Sequence, residues 1–361
     1  SWMNISMLNV GFDLGFLKDR LKLEVDFFRR KRSGIPADPV DVIYPYEAGY
    51  SAQKRNLNSD QVSGIDGMVK WNDRVNDFKY FASVNLTLAR QKTINNYGEV
   101  FLNGWDQYRW AQTNRWSNVK NGAVWMWETI GVFQTQEEID NYPVNIDGAN
   151  NVNLRPGDLI FKDVNGDGLI DDYDKRPLGY AATDYEWDRS NANKNPLLSM
   201  GINLGFEYKG IDFAADFAGG FMNTFIGDWH VKYGIGTDQM GYVYNVIDSW
   251  QHEDIFDVKS PWKPGKFPAV RSNNPSIRDW NDFYAKEINY LRLRNLVVGY
   301  TLPVKWTKKA LIQKLRVYFE GSNLFCWDSL NDFGFDPEIS SVTGFDYPQH
   351  KVYTVGVNVT F

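Results

Sequence analysis

Lys351-Val352-Tyr353-Thr354-Val355-Gly356-Val357-Asn358-Val359-Thr360-Phe361 closes the sequence. Tyr353, Val355, Val357, Val359 and Phe361 share one parity, and Thr354, Gly356, Asn358 and Thr360 share the other. Successive side chains of a strand point to opposite faces, so this segment predicts a strand with one apolar and one polar face. Such a strand needs two different surroundings. In a water-soluble sandwich the apolar face meets a second sheet; in a membrane barrel it meets lipid while the polar face lines a wet lumen.

The same alternation recurs upstream. Leu8, Val10, Phe12, Leu14 and Phe16 are followed, after Lys18-Asp19, by Leu21, Leu23, Val25 and Phe27, which reads as a tight hairpin. Ile65, Val69 and Trp71 pair with Phe78, Tyr80, Ala82, Val84, Leu86 and Leu88 through a turn at Asn76-Asp77. Leu198, Met200, Ile202, Leu204, Phe206 and Tyr208 lead through Lys209-Gly210 to Ile211, Phe213, Ala215 and Phe217. A fourth pair starts at Tyr290 and returns with Leu315, Val317 and Phe319; parity slips near Asn295 and Gly321 read as bulges. With the closing strand this makes nine. Between the hairpins lie long stretches without sustained alternation: Ser33 to Ser59, residues 92–195, Gly227 to Ala285, and Asp328 to His350. Strict alternation of short turns with long loops is the membrane-barrel pattern, and many strands exceed the roughly 9 to 11 residues that cross a bilayer when tilted. Sequence pattern therefore favours an all-β, transmembrane antiparallel barrel with long extracellular loops. The alternative is a secreted, calcium-stabilised β-sandwich that binds glycans.

Composition narrows the function classes. Of 361 residues 43% are hydrophobic and 23% charged, enough for an ordered core. The 39 basic and 45 acidic residues are mixed along the chain, giving a net charge of -6 and arguing against a nucleic-acid partner. One cysteine, Cys326, excludes an internal disulfide framework, and His230, His252 and His350 have no metal-ligand spacing. No stretch approaches the roughly 18 apolar residues of a membrane helix, so any insertion must use strands. Ser1-Trp2-Met3-Asn4 has neither the charged nor the apolar part of a signal peptide and reads as a cut inside a longer protein. No nucleophile and base constellation suggests an enzyme.

One chemical motif stands out. Asp163, Asn165, Asp167, Asp171 and Asp174 occupy positions 1, 3, 5, 9 and 12 of a twelve-residue loop, with Gly168 at position 6, the Leu169 carbonyl at position 7 and Ile170 at position 8. This is the spacing of an EF-hand calcium loop, in which a hard cation takes several oxygens and the glycine permits a sharp turn. Asp174 replaces the usual glutamate, as in the dockerin-type variant. The expected role is structural, pinning the 92–195 loop. Trp105, Trp110, Trp116, Trp125 and Trp127 crowd the start of that loop, where they either stack on sugar rings or peptide side chains or form the loop's own small core.

Several stretches resemble the SusC/RagA-like TonB-dependent outer-membrane transporters of Bacteroidetes-type bacteria: Gly157-Asp-Leu-Ile-Phe-Lys-Asp163-Val-Asn-Gly-Asp-Gly-Leu-Ile-Asp171, Tyr290-Leu-Arg-Leu-Arg-Asn-Leu-Val-Val-Gly-Tyr-Thr-Leu-Pro303, Arg316-Val-Tyr318 with Asn323-Leu324, Asp336-Pro-Glu338, and the terminal Phe361. The resemblance covers residues 1–361 as the C-terminal third or so of such a transporter. It implies a 22-stranded barrel of which this chain supplies the last nine strands, with the short turns periplasmic. It further implies TonB-driven import of large nutrients, glycan or peptide, with a SusD-like surface lipoprotein as lid. The N-terminal barrel strands, the plug and the TonB contact would lie outside this sequence.

Overall fold

The computed structural model describes residues 2–39, 53–95, 121–184, 196–226, 248–271, 274–277, 281–330, 336–338 and 349–361, with residues 45, 47 and 49. Along the chain the strands are β1 (Asn4–Phe16), β2 (Leu21–Ala37), β3 (Arg55–Val75), β4 (Phe78–Asn95), β5 (Asn121–Met126), β6 (Thr129–Val132), β7 (Leu159–Phe161), β8 (Arg176–Asp184), β9 (Leu198–Tyr208), β10 (Ile211–Ile226), β11 (Gln251–His252), β12 (Trp262–Lys263), β13 (Ala285–Thr301), β14 (Lys314–Asp328) and β15 (Val352–Thr360). Nine of them form one sheet in the order β1-β2-β3-β4-β9-β10-β13-β14-β15, every neighbouring pair antiparallel. The other six make three two-stranded sheets inside the two longest loops.

Register puts the alternation to use. Tyr80, Phe206, Phe213, Val298, Phe319 and Val355 form one row across six strands, with the Phe206 and Phe213 rings stacked at 5.2 Å. One residue over, on the opposite face, the row reads Lys79, Glu207, Asp212, Gly299, Tyr318 and Gly356. Lys79 pairs with Glu207 at 3.2 Å, and Arg316 reaches Asp212 over the intervening strand. That crossing requires Gly299: a Cβ there would sit 2.5 Å from both Arg316 Nη2 and Asp212 Oδ1. Deeper along the same face Asn203 donates to Asp216 at 2.8 Å and Ser83 to Asn203 at 3.3 Å. The polar face is thus knitted by side-chain bonds between strands, while Leu204, Val298 and Val355 on the apolar face are 38%, 41% and 75% exposed.

No second large sheet covers that apolar face among the described residues. The sandwich alternative is therefore overturned, since its apolar face would have to be buried against a partner sheet. Instead β1 and β15 end an open, up-and-down sheet of barrel type. The hairpin turns have the left-handed backbone expected: Asn76 at φ 53°, and Lys209 and Gly210 at φ 47° and 89°.

Three boundaries move. The Ser33 to Ser59 loop is shorter than its sequence suggests, because β2 runs on to Ala37 and β3 starts at Arg55. Backbone pairing continues there without apolar alternation, and β2 bends at register shifts around Ile35. Likewise β4 reaches Asn95, past the assigned loop start at 92. The two parity slips near Asn295 and Gly321 are one irregularity: Asn295 pairs with Ser322 but Leu293 with Phe325, and Asn323 takes φ 53°.

Candidate functional site

Among the described residues the main buried core lies in the loops. Trp127, Phe133, Ile139, Ile146, Leu154, Leu159, Phe161 and Ile170 come from the loop between β4 and β9, and Phe267 and Tyr284 from the loop between β10 and β13. β6 pairs with β7, and the one-turn helix Gln136–Asp140 is capped by Thr135, whose hydroxyl accepts from the Glu138 amide at 3.2 Å. Asp147 turns the next segment by accepting from the amides of Ala149, Asn151 and Asn153. Partial burial acts to raise its pKa, but these amides outweigh it and hold the carboxyl below its ordinary range.

The two loops are joined by polar as well as apolar contacts. Ser276 Oγ accepts from the Leu159 amide at 2.8 Å, Asp282 Oδ1 from the Thr129 amide at 2.8 Å, and the Asp282 amide donates to the Trp127 carbonyl at 3.1 Å. At the centre Asp158, 0% exposed, receives both Nη atoms of Arg271 at 2.9 and 2.5 Å. Burial pushes the Asp158 carboxyl up, and Arg271 only partly offsets it. Burial likewise drives the Tyr284 phenol well above its ordinary value. Glu128 at the unit's edge goes the other way: desolvation is outweighed by Lys162 and Arg176.

The calcium-type loop forms one wall of this unit. Asp163 accepts from the amides of Gly166 at 2.6 Å and Gly168 at 2.9 Å; Gly168 takes φ 80°, the sharp turn its position requires. Asn165 accepts from the Asp167 amide, and Asp167 from the Leu169 amide. Asp171 caps the 3-10 turn Asp172–Asp174. Asp174 is 0% exposed and accepts from the amides of Val164, Asn165 and Asp171. Its burial raises its pKa, the amides lower it, and the Asp163 charge raises it again. Ile170 is buried in the core, and Asn145 brackets the loop by donating to the Gly168 carbonyl and accepting from the Ile170 amide. The donor set is all oxygen, as a hard cation requires. In this arrangement the side chains fold onto the loop's own amides, and no three His, Cys, Asp or Glu among the described residues converge as a metal-ligating group.

Of the loop tryptophans, Trp105, Trp110 and Trp116 lie outside the described residues, and Trp125 lies in β5. Trp127 is corrected from a ligand-stacking candidate to a core residue. It is 2% exposed, lies against Phe161 at 5.1 Å and donates Nε1 to the Asp171 carbonyl at 2.7 Å, so its faces are closed to a sugar or peptide.

A second assembly sits on the polar face of β13. Arg292 Nη2 donates to both carboxylate oxygens of Asp336 at 2.6 and 2.7 Å and its Nε lies 2.5 Å from Glu338; Arg294 bonds Glu338, Asn323 and Gln349. These bonds fasten the loop after β14 to the sheet's polar wall. Nothing in the sequence matched Arg292 to carboxylates 44 residues downstream. The Arg271 and Asp158 pair, 113 residues apart, was equally silent.

No protein-family profile matches the chain. It aligns over its full length with TonB-dependent receptor P3 of Formosa agariphila (24% identity, 34% of that protein) and with TonB-dependent receptor SusC of Bacteroides thetaiotaomicron (23% identity, 32% of that protein). Its fold matches the RagAB peptide importer in the open-open state, with a TM-score of 0.67, 20% identity, all of this chain and 35% of that one. The chain thus spans about a third of the length of the curated relatives it matches. By sequence along its whole length and by fold, the chain is the counterpart of about a third of a TonB-dependent receptor of the SusC and RagA kind.

Proposed function

We propose that this chain is the C-terminal barrel part of an outer-membrane importer of large nutrients, glycan or peptide, whose transport is driven through TonB. The observation that carries this is the open nine-stranded sheet with one exposed apolar face, one polar face, short turns at one end and long folded loops at the other. Unpaired strand edges in hydrocarbon cost several kcal/mol per group, so β1 and β15 must pair with strands outside this sequence. The N-terminal barrel strands of the same transporter fill that role, its plug would sit inside the closed barrel, and the long loops face a SusD-like lipoprotein at the cell surface. Spin labels test the orientation. In the intact receptor in vesicles, labels at Leu204 and Phe213 should report lipid, and labels at Asn203 and Asp212 should report water. The inverse result removes the barrel reading.

We infer that the loop Asp163–Asp174 takes one calcium through Asp163, Asn165, Asp167, Asp174 and the Leu169 carbonyl, with Asp171 at position 9. Bound calcium would neutralise carboxylates crowded on one turn and lock the wall of the loop unit. Replacing Asp163 and Asp167 together with Ala should abolish calcium retention and speed proteolysis within the loop while the barrel still assembles. Calcium content equal to wild type in the double variant would refute the site.

A further inference from the structure

The turn joining β13 to β14 differs from the other short turns. Pro303-Val-Lys305-Trp-Thr-Lys308-Lys309-Ala-Leu-Ile-Gln313-Lys314 contains no acidic residue, in a chain whose net charge is -6. It is ordered as a helical turn over Val304–Thr307 followed by a 3-10 turn over Lys308–Ala310. Thr307, 5% exposed, is its internal anchor, and Leu311 closes it in the left-handed conformation at φ 59°. Backbone bonds tie it down at both ends: Leu302 donates to the Leu315 carbonyl and Gln313 to the Thr360 carbonyl, each at 2.8 Å.

This fixed turn displays its apolar side chains. Val304, Trp306 and Leu311 are 55%, 68% and 82% exposed, and Lys305, Lys308 and Lys309 are exposed among them. The adjoining turn continues the surface: Gly210 accepts from the Thr301 amide at 2.7 Å, and beside it Lys209 lies 5.1 Å from the ring of Tyr208. Tyr208, Ile211 and Tyr300, all on the sheet's apolar face and 38 to 41% exposed, lead directly into it. Apolar side chains continuous with a lipid-facing surface and ringed by lysines, with no acidic residue from Pro303 to Lys314, match the boundary between acyl chains and anionic headgroups. Tryptophan lies well at that depth, and lysine stems reach along apolar surface to present their charge.

The geometry points to a binding site for anionic phospholipid at this turn, with Trp306 and Leu311 in the acyl boundary and Lys305, Lys308 and Lys309 on the headgroup phosphates. This rests on the membrane-barrel reading above. The test is native mass spectrometry of the intact receptor released from detergent with phosphatidylglycerol or phosphatidylethanolamine of the same acyl chains. Wild type should retain phosphatidylglycerol in preference, and high salt should erase the preference. Each lysine lost near the surface is expected to cost about fivefold in that retention, so K305Q/K308Q/K309Q should lose the preference while keeping phosphatidylethanolamine as before. The single K308Q and K309Q variants should show smaller losses of the same sign, which covers a triple variant that assembles poorly. Equal retention of both lipids by wild type, or an undiminished preference in the variants, overturns the proposal. The spin labels at Leu204 and Phe213 separate the two failures: lipid contact there with no headgroup preference sinks this site alone.

Discussion

Replacing Arg271 with Ala is expected to cost the loop unit about 3 to 5 kcal/mol, the penalty for leaving a buried carboxylate without its counterion. Asp158 is 0% exposed and takes both Nη atoms of Arg271, so its charge would have no solvent to turn to. Arg271 also donates to the Asn153 carbonyl at 3.0 Å, so the same change frees the segment ahead of Asp158. Hydrogen exchange should show lost protection at the amides of Phe133 and Leu159, which are bonded around this pair. Adding Asp158→Asn to the variant should recover part of the loss by removing the stranded charge. Protection equal to wild type in Arg271→Ala would show that the pair does not hold the loops together.

Gly157→Val should be of similar size. Gly157 has φ 92°, a region closed to a β-branched residue, and a Cβ there would fall within the indole of Trp250. Backbone strain of about 1 to 3 kcal/mol and overpacking of about 1 to 3 kcal/mol add to about 2 to 6. Trp250 is 6% exposed and its amide donates to the Phe267 carbonyl at 2.8 Å, so its displacement would pull on the second loop from the first. Trp250→Ala in the same background removes the ring but keeps the Cβ of residue 250, 2.5 Å from the added Cβ, so it should relieve part of the clash and none of the strain, and the two substitutions should cost less together than the sum of each alone. Strict additivity would mean that the ring and the glycine do not meet.

What sequence made legible follows from what has a period. The nine strands and their turns were readable because each apolar side chain is two residues from the next, and the sheet's two faces show that spacing in Leu198–Tyr208 and in Val352–Thr360. Where the sheet leaves its apolar band the signal fades, so Ser33–Ala37 and Arg55–Ser59 read as loop while their backbones still pair. The loop unit was legible only at the aspartates of its calcium-type turn, since fixed spacing is again a period. Its core was not: Phe133, Tyr284 and Phe267 carry no pattern and meet only because two separate segments close on one another. Trp127 shows the same limit, as density of tryptophan along a sequence does not say whether a ring faces in or out.

That shared core sets an order on assembly. Most of it comes from residues 127–170, and Phe267 and Tyr284 join it from beyond the hairpin β9 and β10, so the core is complete only when both loops have arrived. Contacts that span more than a hundred residues require loop closure before they contribute, which slows their formation. The unit is therefore expected to reach its full protease resistance only after both loops have closed on one another and the hairpin between them is made.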